Sequence, residues 1–164
     1  MRRIATALSA GVLAALALPG AACAFGPVGS FDGSGSGSGQ FNHPQGAAAS
    51  GATVYVADTA GNRVPFYSPS GTFQGNLASP PSAPQDVAAS GTLVVAAGPS
   101  QVARSLLGVP LPAINAPGAS YGIAIASGSI FVGDAQAGVI HKYDSTLGTF
   151  QGDIGGGSSP SRRA

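Results

Sequence analysis

Residues 41–74 read FNHPQGAAASGATVYVADTAGNRVPFYSPSGTFQ. A loop with Pro44 and Gly46 leads into a small apolar run, Ala47-Ala48-Ala49, which Ser50-Gly51 ends. Glycine there permits a tight turn, because it reaches positive φ without a steric penalty. A strand follows at Val54-Tyr55-Val56-Ala57, where β-branched and aromatic side chains suit a pleated, buried sheet. A polar turn, Asp58-Thr59-Ala60-Gly61-Asn62, precedes another strand around residues 63–67, and Ser70-Gly71 turns the chain again. Short strands separated by tight turns predict one antiparallel meander.

The same sequence logic returns twice. Pro44-Gln45-Gly46-Ala47-Ala48-Ala49-Ser50-Gly51 aligns with Pro84-Gln85-Asp86-Val87-Ala88-Ala89-Ser90-Gly91. Both align with Ser120-Tyr121-Gly122-Ile123-Ala124-Ile125-Ala126-Ser127-Gly128. From Gly46 to Asp86 is 40 residues, and from Asp86 to Gly122 is 36. A period near 40 with four short strands per unit is the signature of propeller blades. The small first strand of each unit suits the innermost position, where blades converge. The second strand (53–57, 93–97, 130–132) reads as a continuous apolar run, as a strand buried on both faces should. Third strands are expected at 64–67, 102–106 and 139–143, the first weakened by Pro65, which lacks an N–H donor. Fourth strands are expected at 71–74 and 148–151; the middle unit shows no clear equivalent.

The layout of residues 41–74 resembles an NHL repeat, one blade of a β-propeller. The resemblance is weaker over 77–112 and intermediate over 116–154. It implies an all-β fold: a partial β-propeller of about three NHL-like four-stranded blades over residues 25–154, after an N-terminal signal helix. Residues 25–31, FGPVGSF, resemble the outermost strand of a preceding blade, which in closed propellers completes the last one. Propellers close with about 4–8 blades. Three units leave two end faces, so the chain is expected to be a fragment of a longer gene, to pair with a second copy as a six-blade ring, or to adopt a compact barrel or sandwich.

The ends of the chain carry targeting and tail signals. Arg2 and Arg3 precede an apolar stretch over residues 4–18, and Ala22-Cys23-Ala24 is a small-residue cleavage pattern. The expected signal peptide is 1–24, cut between Ala24 and Phe25; its apolar run is shorter than the ~20 residues that span a bilayer. Cleavage there removes the only cysteine and excludes disulfides. Lipid anchoring through Cys23 is the alternative, although residues 20–22 lack the leucine usual before such a cysteine. Secretion or a periplasmic address follows from either. Residues 34–39, GSGSGS, read as a flexible loop, and 155–164, GGGSSPSRRA, as a disordered tail.

Charge excludes one class of partner. The chain has seven Lys and Arg against six acidic residues, all Asp, and removing Arg2 and Arg3 leaves five against six. No basic patch exists, which argues against nucleic-acid binding.

Asp58, Asn62 and Arg63 are the most motif-like polar residues, and in NHL-like blades this pattern shapes the turn after the second strand. Asp and Asn bond neighbouring backbone N–H groups, Asn tolerates left-handed geometry, and Arg63 is expected to pair with Asp58 on the surface. The third unit keeps Asp134. His43 and His141, about a hundred residues apart, lack the partners that a zinc site needs. Asp86 near an inner strand is a lone carboxylate, no two Asp are clearly placed to converge, and no serine sits in a G-x-S-x-G elbow. Catalytic, metal and cofactor residues are therefore expected to be none. The expected function is a secreted, non-catalytic module that binds a protein, peptide or glycan, with self-association to close the ring as a further expectation. The alternative classes are a metal-dependent lactonase- or lyase-like half-propeller needing a partner chain, and a gene fragment without independent function.

In a secreting host, the protein recovered from the medium should begin at Phe25. Intact mass and N-terminal sequencing check this; a diacylated chain beginning at Cys23 would overturn free secretion.

Overall fold

The computed structural model describes residues 37, 39–116 and 120–156, and all twelve elements among them are strands. The expected signal segment with its Ala24–Phe25 junction, the strand expected at 25–31, most of the loop expected at 34–39, and residues 157–164 lie outside the described residues. The first sheet holds β1 (Pro44–Ser50), β2 (Thr53–Asp58), β3 (Pro65–Tyr67) and β4 (Phe73–Asn76). The second holds β5 (Asp86–Ser90), β6 (Leu93–Ala97), β7 (Gln101–Leu106) and β8 (Val109–Asn115). The third holds β9 (Ser120–Ala126), β10 (Ser129–Asp134), β11 (Val139–Asp144) and β12 (Phe150–Gly155), so β12 takes in Gly155, where the tail was expected to start. Each sheet is an antiparallel meander of consecutive strands. The first strands β1, β5 and β9 lie side by side, so the sheets radiate from a common inner edge as propeller blades do. The sheets stay separate, which excludes the barrel alternative, and their three inner strands lie side by side as in blades and not as in a two-sheet sandwich.

Pleating explains the core. Successive side chains of a strand point to opposite faces. On β6, Val94 and Ala96 pack toward the first sheet with Ala57, Val64, Leu77 and Val87. The intervening Val95 and Ala97 pack toward the third sheet with Val102, Ile114, Ile130, Val132 and Tyr143. The middle sheet thus serves two cores, and its second strand must be apolar at every position.

Three prolines explain the irregular strands. Pro65 stands in a short β3, and its ladder to β2 is reduced to Val54↔Tyr67 and Tyr55↔Phe66 with a bridge between Asp58 and Arg63. The fourth strand missing from the sequence pattern of the middle unit is β8, VPLPAIN. Pro110 and Pro112 are tolerated there because β8 pairs only with β7 and has a free outer edge.

The inner strands approach closely through one glycine. A Cβ on Gly46 would lie 2.7 Å from the Cα of Asp86 and would collide with the Asp86 carboxylate. The equivalent Gly122, in the last sheet, faces open space. Gly46→Ala should therefore destabilise the chain by about 1–3 kcal/mol through overpacking. Gly122→Ala should stay within about 0.5 kcal/mol of wild type, as surface substitutions do. Urea unfolding of both variants in dilute solution checks the contrast; equal effects would refute the asymmetry.

Candidate binding face and its polar ties

The turns within each meander place β1–β2, β5–β6 and β9–β10 connections at one end of the sheets, together with the β3–β4, β7–β8 and β11–β12 connections. Backbone and side-chain bonds knit this end together. Leu107 N–H donates to Thr92 O at 3.0 Å, Ser145 N–H to Gly128 O at 3.0 Å, and Ser50 Oγ–H to Gly91 O of the next sheet at 2.9 Å.

The β7–β8 turn is the odd one. Leu107 and Gly108 both have positive φ, 53° and 81°. That geometry favours Asn-Gly in a two-residue hairpin, and a leucine there is strained. Leu107 is nonetheless 74% exposed, with Val109 62% exposed beside it and Leu147 73% exposed on the β11–β12 turn. Two grooves open at this end, and Leu107 lines the first. One, about 280 Å³, runs between the first and second sheets past Tyr55, Thr92 and Ser105. The other, about 320 Å³, lies between the second and third sheets past Thr92, Leu106, Leu111 and Thr146. Ser105 is buried at the first groove, and its Oγ makes no hydrogen bond among the described residues.

Arg104 holds the second groove in shape. It is a cation on β7, turned toward the third sheet and buried. Its guanidinium donates to Pro112 O at 2.8 Å and, across the gap between sheets, to Thr146 O at 2.9 Å, Ser145 O at 3.2 Å and Leu147 O at 3.4 Å. Five fixed donors suit an array of carbonyls better than an ammonium would. A Cβ on Gly148 would lie 2.6 Å from Nη2, so glycine at 148 leaves room for the guanidinium. Desolvation lowers the Arg104 pKa, with nearby Asp144 opposing the shift.

The opposite end carries the turn residues singled out in the sequence. Asp58 and Arg63 do pair, Nε to Oδ2 at 2.7 Å, but Asp58 is completely buried, so this is not the surface pair expected. Burial follows from its other bond: Oδ1 accepts the Asn42 N–H at 2.6 Å and ties the incoming loop to the turn. Arg63 also donates to the Gln40 and Gly37 carbonyls. Asn62 has φ of 51°, and its Oδ1 accepts the Ala83 N–H at 2.8 Å from the loop leading to the second sheet. Asp134 closes its own turn by accepting the Gln136 and Ala137 N–H groups, each at 2.8 Å.

Asp134 also meets a histidine. His141 sits between two carboxylates, Nδ1 2.5 Å from Asp153 and Nε2 3.2 Å from Asp134. Two Asp thus flank one ring, and the signal for the first was register: His141 lies directly opposite Asp153 on β12. They occupy opposite nitrogens of one ring, so they do not gather at a single point. Among the described residues no three His, Cys, Asp or Glu side chains are arranged to hold a metal ion. The His43 ring meets Asn42 Oδ1 at 3.2 Å, and its carbonyl accepts the Thr59 N–H at 3.3 Å. Asp86 spans two inner strands, accepting the Val87 N–H at 2.8 Å and the Ile123 N–H at 3.0 Å. Among the described residues no helix is long and apolar enough to cross a membrane.

No protein-family model matches the chain, and no characterised protein matches it by sequence. Solved structures do resemble it. Kuenenia stuttgartiensis hydrazine synthase superposes with a TM-score of 0.63 at 16% identity, over 70% of this chain and 36% of that one. The computationally designed Ika4 protein gives 0.62 at 17% identity, over 72% of this chain and 76% of the design. A nidogen/laminin complex gives 0.61 at 10% identity, over 70% of this chain and 48% of that one. The chain thus spans about a third of the hydrazine synthase chain. At these identities the likeness concerns the fold alone, a propeller-like array of repeated blades.

The histidine clamp has a definite pH dependence. Its pKa is raised above the ordinary value, first by the bond to Asp153 and then by that to Asp134, with burial opposing. Stability from the protonated clamp should be fully present below about pH 6.5 and lost as pH rises through the raised folded value. The Asp134 pKa is lowered, chiefly by the Ala137 N–H, so its share persists above the unfolded carboxylate range and is lost on acidification. Thermal unfolding from pH 4 to 9 should show a decline in Tm on the alkaline side that His141→Gln removes. An unchanged slope in that variant would refute the clamp.

Proposed function

We propose that the chain is a non-catalytic binding module of the NHL-like propeller type, acting outside the cytoplasm, and that its ligand is an extended protein segment. The exposed, strained Leu107 on the wall of the groove between the first and second sheets carries this reading. Strain and apolar exposure both cost free energy in the free protein, and a ligand that covers the leucine recovers the second. The grooves offer Ser and Thr hydroxyls and backbone carbonyls beside apolar walls, which suits peptide side chains alternating with main-chain polar groups. Tyr55 is the one aromatic residue on either groove, so the stacking surface that sugars favour is sparse, and a protein segment fits better than a glycan.

The ligand sites of such scaffolds lie on turns held by rigid strands. Here Arg104 and the Ser50–Gly91 bond supply the rigidity. The groups gathered around His141 are saturated by one another, which supports a structural role for them over acid–base chemistry.

Selection of a random peptide library displayed on phage against the secreted chain tests the proposal. Enriched peptides should carry apolar residues, and Leu107→Asp should weaken them at least about tenfold, while Ala60→Lys on the opposite end leaves them unchanged. Failure to enrich, or enriched peptides indifferent to Leu107→Asp, would overturn it. Hydrolysis of an ester or lactone substrate, abolished by Asp134→Asn or His141→Gln, would overturn the non-catalytic reading in favour of the lactonase-like one.

A further inference from the structure

The third sheet has one face that the first two sheets show how to complete. On the first sheet, Tyr55, Ala57, Val64 and Phe66 point toward the second sheet, and Val64 is completely buried against it. Register puts Phe131, Gly133, Ile140 and Lys142 of the third sheet in the same places: Tyr55 pairs with Phe66 as Phe131 pairs with Lys142. There Ile140 is 43% exposed, and Ile154, its partner across the ladder, is 51% exposed. The glycines repeat the contrast. Gly46 is filled by Asp86 of the next inner strand, whereas Gly122 faces open space. Beside it a shallow hollow of about 350 Å³ runs from Asp86 to Phe131 and Ile140. This face is built as a contact between sheets, and its partner sheet is not among the described residues.

We infer that this face binds the same face of a second copy of the chain, forming a two-fold dimer through the third sheets. The other end of the array argues against a head-to-tail contact. On the outward face of the first sheet Tyr67 is completely buried, with the Phe41 and Phe73 rings each 5.6 Å away, and Val56 is buried as well. A head-to-tail ring needs both end faces free, and one is already covered. A self-complementary contact uses only the open face and closes after two copies. Charge permits it: the face carries one base, Lys142, and one acid at its inner margin, Asp86, so like copies meet without net repulsion. Four strands spaced about 4.8 Å apart and about 20 Å long offer about 400 Å² in projection. That lies below the roughly 800 Å² per partner of standard stable interfaces. The dimer is therefore reversible, populated at micromolar concentrations and above, and the paired sheets bury Ile140 and Ile154 of both copies.

Light scattering on the secreted chain from about 1 to 100 μM, a range set to bracket a micromolar Kd, tests this. Wild type should pass from monomer to dimer mass across the range. Ile140→Lys should raise the dissociation constant at least about tenfold, and Ala60→Lys, the same charge change on a distant turn, should leave it unaltered. Both variants should keep the wild-type circular dichroism, because both positions are already exposed. Should Ile140→Lys not fold, Ile154→Lys makes the same test. A second measurement uses Ile140→Cys: mild oxidation should yield a covalent dimer, and Ala60→Cys should not. A monomer at every concentration would overturn the proposal, as would a larger open assembly or a dimer indifferent to both lysine substitutions.

Discussion

The structure depends on a middle strand that serves two cores at once. Val94 and Ala96 leave β6 in one direction, Val95 and Ala97 in the other, and each pair is the floor of a separate hydrophobic cluster. The side-chain period of a strand is two, so a one-residue slip in β6 would exchange the walls of both cores together. Everything that follows, from the small inner strands to the spacing of the grooves, presumes that this pleat is in register.

Inter-sheet packing is supplemented by polar ties at both ends. Arg104 reaches from the second sheet to carbonyls of the third, Asn62 from the first sheet to the loop before the second, and Asp86 between inner strands. In each case a side chain meets backbone, which keeps it satisfied without requiring a charged partner. The proposed binding face and the clamp around His141 sit on opposite ends of one stiff unit.

Much of the fold was legible because the repeat is carried by residue types with narrow roles. Ser-Gly at the first turns, β-branched runs at the second strands and the 40- and 36-residue spacings suffice for three repeated antiparallel units. β8 escaped notice because Pro110 and Pro112 suppress a strand signal, and only its edge position reconciles them with a ladder. Asp58, Asn62 and Arg63 were recognisable as turn residues, but the burial of Asp58 was not, since it depends on Asn42 coming from sixteen residues upstream. Arg104 was also hidden. A lone charge in Val-Ala-Arg-Ser-Leu looks like a solvent-facing position of an alternating strand, and its burial depends on carbonyls some forty residues later in the chain. The His141 pair was readable in principle from the β11–β12 register, once that hairpin was drawn.

The shared wall has a consequence for how the chain opens. Every ladder joins consecutive strands, so each meander forms from contacts near in sequence, which favours rapid folding. An end sheet can detach by exposing one core, and the remaining pair keeps the other. The middle sheet has no such route, because releasing it exposes both cores at once. Backbone amides of β6 and β7 thus exchange only through the costliest opening, while those of β3, shortened at Pro65, escape through local fraying. The most degenerate repeat in sequence is in this sense the most durable in time.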